Sequence, residues 1–399
     1  MRKVDVVGVG ITPFGKHADA TVRSLGAEAI GMALADAGVA PAEVGLLVHG
    51  NAMAGLLDGQ EMIRGQVVAV GAGLSGVPVV NVENACATSS SALHVALAGI
   101  QAGGYDTAVV CGTEKMSGRP SGEILAAMTA GADLGRMGEI TRDLTGSDEP
   151  PASFFMAVYA RIAAEYQART GATARDFADV AVKNSAHGAL NPNAQYRRAL
   201  SREEILASRV VAGPLTMLMC SPIADGAAAL VLRAADAPGS PVDGVRIRAC
   251  ALRSGIAGSP GAQLEQRAAA AAYEEAGLGP EDLDVAEVHD AAAPAELIMY
   301  EELGLCGLGE GPKLLASGAT ALGGRVPVNP DGGLVSRGHP VGATGCAQLV
   351  ELVTQLRGRA GARQVPGARV GLAENAGGYL HPEAAACVVT ILAGIEGRP

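Results

Sequence analysis

The 399-residue chain has no tryptophan, and aromatic residues make up only 3% of it. A core built without large rings must close by bringing backbones near one another. The 55 glycines and the alanine-rich segments fit that mode of packing. Charge is also scarce: 18% of residues are charged, with 30 Lys and Arg against 41 Asp and Glu, a net charge of −11. That balance argues against a nucleic-acid partner, which wants a basic face. No apolar run reaches the ~20 residues of a membrane span. At the N-terminus, Asp5 and two glycines interrupt the run from Val4 to Ile11, which reads as a first β-strand and not as a signal peptide. The seven cysteines (Cys86, Cys111, Cys220, Cys250, Cys306, Cys346 and Cys387) are odd in number, and none is spaced C-x-x-C. They offer no disulfide framework and no common zinc-ribbon spacing, and no metal-ligand cluster is evident, so no metal is expected. Reduced thiols in a cytoplasmic protein are the expectation, with one of them free to act as a nucleophile.

Strand and helix signals alternate over the first hundred residues. Val4–Val9, Val44–Val48, Val79–Val82 and Thr107–Cys111 read as strands, and Ser24–Ala37 and Ala87–Ala102 as helices. This alternation predicts a largely parallel sheet in an α/β fold. The second half of the chain echoes the first: Ala37 to Val44 (AGVAPAEV) matches Ala276 to Leu283 (AGLGPEDL), each preceded by an alanine-rich helix and followed by an apolar strand. In each half a turn of small residues then opens a long helix, at Asn84–Ser90 and at Gly338–Gly345. The pattern is an internal duplication. Between the halves, from about 114 to 212, it changes to a polar stretch and a long helix from Ala152 to Thr170, read as an insertion. Ser221–Leu232 returns to the sheet with a strand at Ala227–Leu232, and Ala234–Pro241 reads as a linker. The expected division is 1–240, carrying the insertion, and 241–399.

Four stretches could carry chemistry. Asn84-Ala85-Cys86-Ala87-Thr88-Ser89-Ser90 places Cys86 near a helix N-terminus, where partial positive charge and free N–H groups favour a thiolate and offer donors to an oxyanion. Gly338-His339-Pro340-Val341-Gly342 holds His339 in a tight turn before a helix, where it could take the proton of a thiol. His289-Asp290 follows the strand Val285–Val288, at the strand end where α/β sheets place ligand sites. Glu374-Asn375-Ala376-Gly377-Gly378 follows the strand Val370–Leu372, and its turn N–H groups could serve as oxyanion donors. Taken singly, each has a bland counterpart: a core cysteine, a turn histidine, a solvent-facing histidine, an ordinary turn.

Together the four motifs resemble the thiolase superfamily, and within it the sterol-carrier-protein-type and archaeal-like thiolases, essentially end to end. Cys220-Ser221-Pro222-Ile223-Ala224-Asp225-Gly226 looks like the segment closing the first half, and Asn329-Pro330-Asp331-Gly332-Gly333 leads into the His339 motif. The resemblance implies two βαβαβαββ halves in a five-layer αβαβα sandwich, with a loop domain that holds coenzyme A. It implies that Cys86 takes an acyl group from acyl-CoA as a thioester and that His339 deprotonates Cys86. His289 would complete one oxyanion hole. The Cys86 N–H and one N–H from the Asn375, Gly377, Gly378 stretch would form a second. No permanently bound cofactor is implied, since coenzyme A and acyl-CoA are substrates. Family members are dimers or tetramers, and the resemblance places Thr107–Cys111 where subunits pair. Such thiolases often work with a small partner carrying a zinc ribbon and an OB-fold.

The chain also departs from the pattern. Most thiolases carry a second cysteine as acid/base in a C-terminal Cys-x-Gly, where this chain has Asn375-Ala376-Gly377. Sterol-carrier-type members place it in His-Asp-Cys-Phe, where this chain has His289-Asp290-Ala291-Ala292. Cys346, Cys306 and Cys387 are poor substitutes. The α-proton then falls to His289, His339, a water or the substrate. Four readings stay open: a thiolase acting on 3-oxoacyl-CoA, a C-acyltransferase to a bulky or aromatic acceptor, a retro-aldolase, and a non-catalytic subunit of a complex. The nearest basic residues for a CoA phosphate, Arg197-Arg198 and Arg202, read as a solvated face.

Overall fold

The computed structural model describes residues 1–238, 244–258 and 263–395. The expected boundary at 240/241 and the end of the expected linker lie outside the described residues.

Eleven strands occur among the described residues: β1 (Val4–Ile11), β2 (Leu46–Gly50), β3 (Val79–Val82), β4 (Thr107–Glu114), β5 (Val210–Ala212), β6 (Leu215–Thr216), β7 (Gly226–Ala234), β8 (Val245–Ser254), β9 (Val285–Glu287), β10 (Val370–Gly377) and β11 (Ala386–Gly394). β5 and β6 form a separate hairpin, and the other nine run in the order β3-β2-β4-β7-β1-β8-β11-β10-β9. The join between β1 and β8 is confined to Asp5 opposite Arg246 and Val6 opposite Val245. On either side of it the two halves repeat one plan. β2 pairs in parallel with β3 and β4, β4 antiparallel with β7, and β7 antiparallel with β1. In the second half β9 pairs in parallel with β10, β10 antiparallel with β11, and β11 antiparallel with β8. A single parallel bridge from Ala286 to Val328 stands in the place that β3 holds in the first half.

Side-chain alternation produces the layers. In β4, Ala108 and Val110 face a core shared with the helices Thr88–Gln101 and Thr344–Leu356 and with the inner faces of both halves. Val109 and Cys111 face the outer helix Val22–Ala37. The helices Leu264–Ala276 and Ala293–Glu302 cover the outer face of the second half, beside the insertion helices Phe154–Thr170 and Ala174–Gly188. A strand buried on both faces is apolar along its whole length, which is why these segments read as runs. The result is the five-layer α/β sandwich of duplicated halves with an inserted helical segment after β4.

The central layer explains the shortage of aromatics. A Cβ at Gly345 would lie 2.7 Å from the Ser90 backbone nitrogen, and one at Gly112 would lie 2.4 Å from the Gly342 carbonyl oxygen. The two central helices and their leading turns touch backbone to backbone, and no larger residue fits there.

The resemblance places subunit pairing at Thr107–Cys111, but that strand has no free edge to offer a second copy. β4 is flanked by β2 and β7 along its whole length, so its N–H and C=O groups are consumed within the sheet. The free edge of the first half is β3.

Candidate active site

Cys86 sits in a 3₁₀ turn (Ala85–Ala87) that leads into the helix Thr88–Gln101. The preceding Ala85 is held at φ +47°, a left-handed conformation that costs ~1–3 kcal/mol and persists only where its surroundings impose it. They do. The Thr88 hydroxyl donates to the Ala85 carbonyl at 2.6 Å and accepts the Asn84 N–H at 2.8 Å, while Glu83 accepts the Ala85 N–H at 2.7 Å. The bend turns the half-buried thiol into a cavity. Its helix-terminal place favours a thiolate, but burial outweighs that effect. The thiol is pushed up to about 12 by desolvation, opposed by the backbone N–H groups of Gly378 and of Cys86 itself and reinforced by the Glu114 charge. At rest Cys86 is a thiol.

His339 is buried in the turn before the opposite central helix. Its Nδ1 lies 2.7 Å from the Thr344 hydroxyl, which itself donates to the Pro340 carbonyl at 3.0 Å. A hydroxyl has one proton, so Nδ1 must supply the other and Nε2 is left as a bare acceptor. Burial, then the neighbouring His289 and Arg337, hold this imidazole well below its usual range. The turn is tied to the first half by Glu114 at the end of β4, which accepts N–H groups from Gly342 (2.9 Å), Ala52 (3.1 Å) and Met53 (3.2 Å).

His289 follows β9 and is also buried. Its backbone N–H donates to Glu374 Oε2 at 2.9 Å. Nδ1 is 3.5 Å from the Tyr159 hydroxyl, and Nε2 is buried without a hydrogen-bond partner. Burial, then Arg337, lowers this histidine to about 4, so it is neutral at working pH. The rings of His289 and His339 meet edge to face, with centroids 5.1 Å apart. The thiol of Cys86 and one ring nitrogen of each histidine all lie within 4.8 Å of one another. The neighbouring Asp290 is a fixture of the scaffold: it accepts the Leu334 N–H at 2.6 Å and the Asn184 amide at 2.8 Å.

The fourth stretch divides. β10 runs on to Gly377, so Asn375 is a strand residue, and its amide oxygen accepts the Ser90 hydroxyl at 2.7 Å. Asn375 does not line the cavity, whereas Gly377 and Gly378 do. A Cβ at Gly377 would lie 2.6 Å from the Cys86 nitrogen, so glycine is needed for β10 to pass this close beneath Cys86. Of the substitute cysteines, Cys346 packs against Ser89 between the central helices, and Cys387 lies in β11 with its sulfur 3.7 Å from Glu374 Oε1. Neither these nor Cys306 line the cavity.

The cavity holds about 710 Å³ and is walled by both halves and by the insertion helix, through Tyr159 and Ile162. Tyr159 carries no signal in the sequence, because which face of that helix looks inward depends on how it docks. Thr344 is hidden as the first residue of a helix. Glu374 stands in a motif read for its backbone alone. Arg198 and Arg202 are paired with Glu204 (2.7 Å) and Asp179 (2.5 Å), as a solvated face would be.

An α/β sandwich of two like halves, with a thiol and two neutral imidazoles at their meeting point, is the architecture of the thiolase fold. The chain belongs to the thiolase family: residues 4–236 match the thiolase N-terminal domain, and residues 260–390 match the thiolase C-terminal domain-like model. It is 37% identical over 385 residues to an acetyl-CoA acetyltransferase of Methanothermobacter thermautotrophicus, covering 95% of this chain and 97% of that one. It is 36% identical over 389 residues to the benzoylsuccinyl-CoA thiolase subunit BbsB of Thauera aromatica, covering 94% and 95%. Human sterol carrier protein 2 is 37% identical over 392 residues, covering 94% of this chain and 70% of that protein. A solved structure named Ltp2-ChsH2(DUF35) aldolase superposes with a TM-score of 0.82 at 25% identity, covering 99% of each chain. No helix among the described residues is long and apolar enough to cross a membrane.

Proposed function

We propose that the protein transfers an acyl group through a Cys86 thioester, forming or cleaving the carbon–carbon bond of a 3-oxoacyl-CoA. The observation that carries this reading is the convergence of the Cys86 thiol and one nitrogen each of His289 and His339 within 4.8 Å. His339 Nε2 takes the thiol proton as sulfur attacks the acyl-CoA carbonyl, and Nδ1–H stays on Thr344. The developing oxyanion is met by the N–H groups of Cys86 and Gly378, the two that already favour a negative sulfur. His339 passes that proton to the departing sulfur, so coenzyme A leaves as the thiol and the acyl-enzyme remains. With Tyr159 donating to Nδ1, His289 carries its proton on Nε2 and offers it to the thioester oxygen of the second substrate, stabilising an enolate. The similarity to an acetyl-CoA acetyltransferase and to a subunit of a thiolase supports this class of chemistry.

A bulky or aromatic acceptor is the second reading. It is favoured by the cavity of about 710 Å³ and by the small Ala291 and Ala295 on its wall. A small partner of the DUF35 kind fits the likeness to a complex that contains one, and a dimer built on the β3 edge fits the sheet.

The test is the intact mass of the protein after exposure to acetyl-, hexanoyl- and benzoyl-CoA. Wild type should gain one acyl mass and Cys86→Ala none. A wild type that gains nothing from any donor, with or without an added DUF35-type protein, would return the retro-aldolase and scaffold readings.

A further inference from the structure

The reaction needs a base for the α-carbon of the acceptor, and no cysteine other than Cys86 lines the cavity. We propose that Glu374 is this second acid/base: its carboxylate removes the α-proton of the acceptor acyl-CoA and, in cleavage, its carboxylic acid returns that proton. The proposal rests on the acyl-Cys86 reading above.

Position comes first. Glu374 lies near the end of β10 and lines the cavity together with Cys86, His289 and His339. It is 0% exposed. Its Oε2 is fixed 2.9 Å from the backbone nitrogen of His289, the residue whose ring faces the thiol. Strand alternation sets it on the face of β10 opposite Asn375, whose amide reaches into the central layer instead.

The neighbouring groups are unsuited to the task. His339 Nε2 receives the Cys86 proton. His289 Nε2 is a donor when Tyr159 holds Nδ1. The Tyr159 phenol is pushed well up by burial and by the negative groups around it, so it keeps its proton. Glu83 is exposed and already accepts the Ala85 N–H.

Glu374 has the contrary character. The groups it meets are N–H donors and the Cys387 thiol, not a cation. A carboxyl buried in that way costs stability and is a feature of functional sites. Burial, with the Glu265 charge added, raises it to about 8, so both protonation states are within reach near neutrality. The titratable groups packed around it are Glu265 from the helix Leu264–Ala276, Cys387 from β11, His289 after β9 and Tyr159 from the insertion helix.

The step balances. The α-C–H bond breaks and its proton goes to Glu374. The enolate carbon attacks the acyl-Cys86 carbonyl, the new C–C bond forms and the C–S bond breaks. The Cys86 sulfur departs as a thiolate and regains its proton from Glu374, passed through His339 Nε2 or water, which restores both groups.

Two readouts on the same samples test this: the acyl mass gained from acetyl-CoA, and the exchange of the acetyl-CoA methyl protons with D₂O, followed by NMR. Glu374→Gln should still acylate at Cys86 and keep a cooperative melt, yet exchange should fall by ~100-fold or more, the usual scale of a positioned acid/base. Glu374→Asp should recover part of the exchange, and wild-type exchange should rise with pH through about 8. Exchange by Glu374→Gln at the wild-type rate overturns the proposal, as does a wild type that acylates and never exchanges. Loss of acylation in both variants would make Glu374 a prop for His289 and overturn it too. A wild type that neither acylates nor exchanges refutes the acyl-Cys86 reading itself.

Discussion

Replacing Thr344 by valine isolates the group that fixes the His339 tautomer. The substitution nearly preserves shape and removes one hydroxyl. That hydroxyl accepts from His339 Nδ1 at 2.7 Å and donates to the Pro340 carbonyl at 3.0 Å. Without it the Nδ1–H is a buried donor with no acceptor, a loss of ~1–3 kcal/mol. The imidazole can escape part of that cost by moving its proton to Nε2, but Nε2–H cannot accept the Cys86 proton. Either way the base is less available in the transition state. At 1.36 kcal/mol per tenfold, the acylation rate should fall by about 5- to 150-fold. The assay is quenched-flow acylation by acetyl-CoA, read as intact mass against time, with Thr344→Ser alongside. Serine keeps the hydroxyl and should recover most of the rate. Wild-type speed in Thr344→Val would refute the argument that Thr344 sets the tautomer. Equal damage in valine and serine would assign the effect to the lost packing of the methyl group or of the turn.

Three further outcomes follow from the same geometry. Gly377→Ala places a methyl group 2.5 Å from the Ala87 nitrogen and 2.6 Å from the Cys86 nitrogen. The nucleophile turn must give way, and acylation should drop by about 100-fold, as misplacement by an ångström commonly costs, while the melting temperature falls only modestly. Arg337 is fully buried between Asp331 and Glu287. Arg337→Leu strands both carboxylates and should cost ~3–5 kcal/mol in urea denaturation. Burial raises Glu374 to about 8, and Glu114 and Glu302 to about 7. Unfolded glutamates titrate near ~4.3, so the native state holds the extra protons between these values. The stability this gives is complete below ~4.3 and is lost as pH rises through 7 to 8. The melting temperature should therefore fall from pH 6.5 to 8.5, and Glu374→Gln should flatten that decline; a flat or rising wild-type curve contradicts it.

Much of this architecture was legible in the chain: central strands such as β2 and β4 are buried on both faces and read as apolar runs, and even the half-exposed edge strand β3 keeps enough β-branched residues to show. Val79–Val82 is read to the residue, and the repeated AGVAPAEV and AGLGPEDL segments announce two like halves. Reading stops where strands turn polar. β4 continues past Cys111 through Thr113 and Glu114, whose side chains are satisfied inside the protein, Thr113 by the His49 ring at 2.9 Å and Glu114 by three loop N–H groups. β10 likewise continues through Glu374 and Asn375, paired to β11 and bonded to His289 and Ser90. A polar residue in a strand looks like a turn until its partner, many residues away, is known. Cys86, His289 and His339 were found by motif; Thr344, Tyr159 and the role of Glu374 come only from tertiary contact.

On the acyl-Cys86 reading, the duplication also explains why a neutral thiol and neutral imidazoles would suffice. Cys86 and His339 hold matching places, each beside the turn that opens a central helix of its own half. Those helices are locked together by contacts such as the Cys346 N–H donating to the Ser89 hydroxyl at 2.9 Å, so the separation of Cys86 and His339 is set by rigid elements. Both helices also aim their positive ends at the one cavity. Desolvation suppresses a resting charge there, keeping the sulfur protonated and both rings uncharged. The oriented N–H groups of Cys86 and Gly378 remain in place for charge that exists only while bonds change. On that reading, an arrangement that disfavours the anion at rest and meets it with fixed dipoles in transit spends its binding on the transition state, where it would accelerate the reaction.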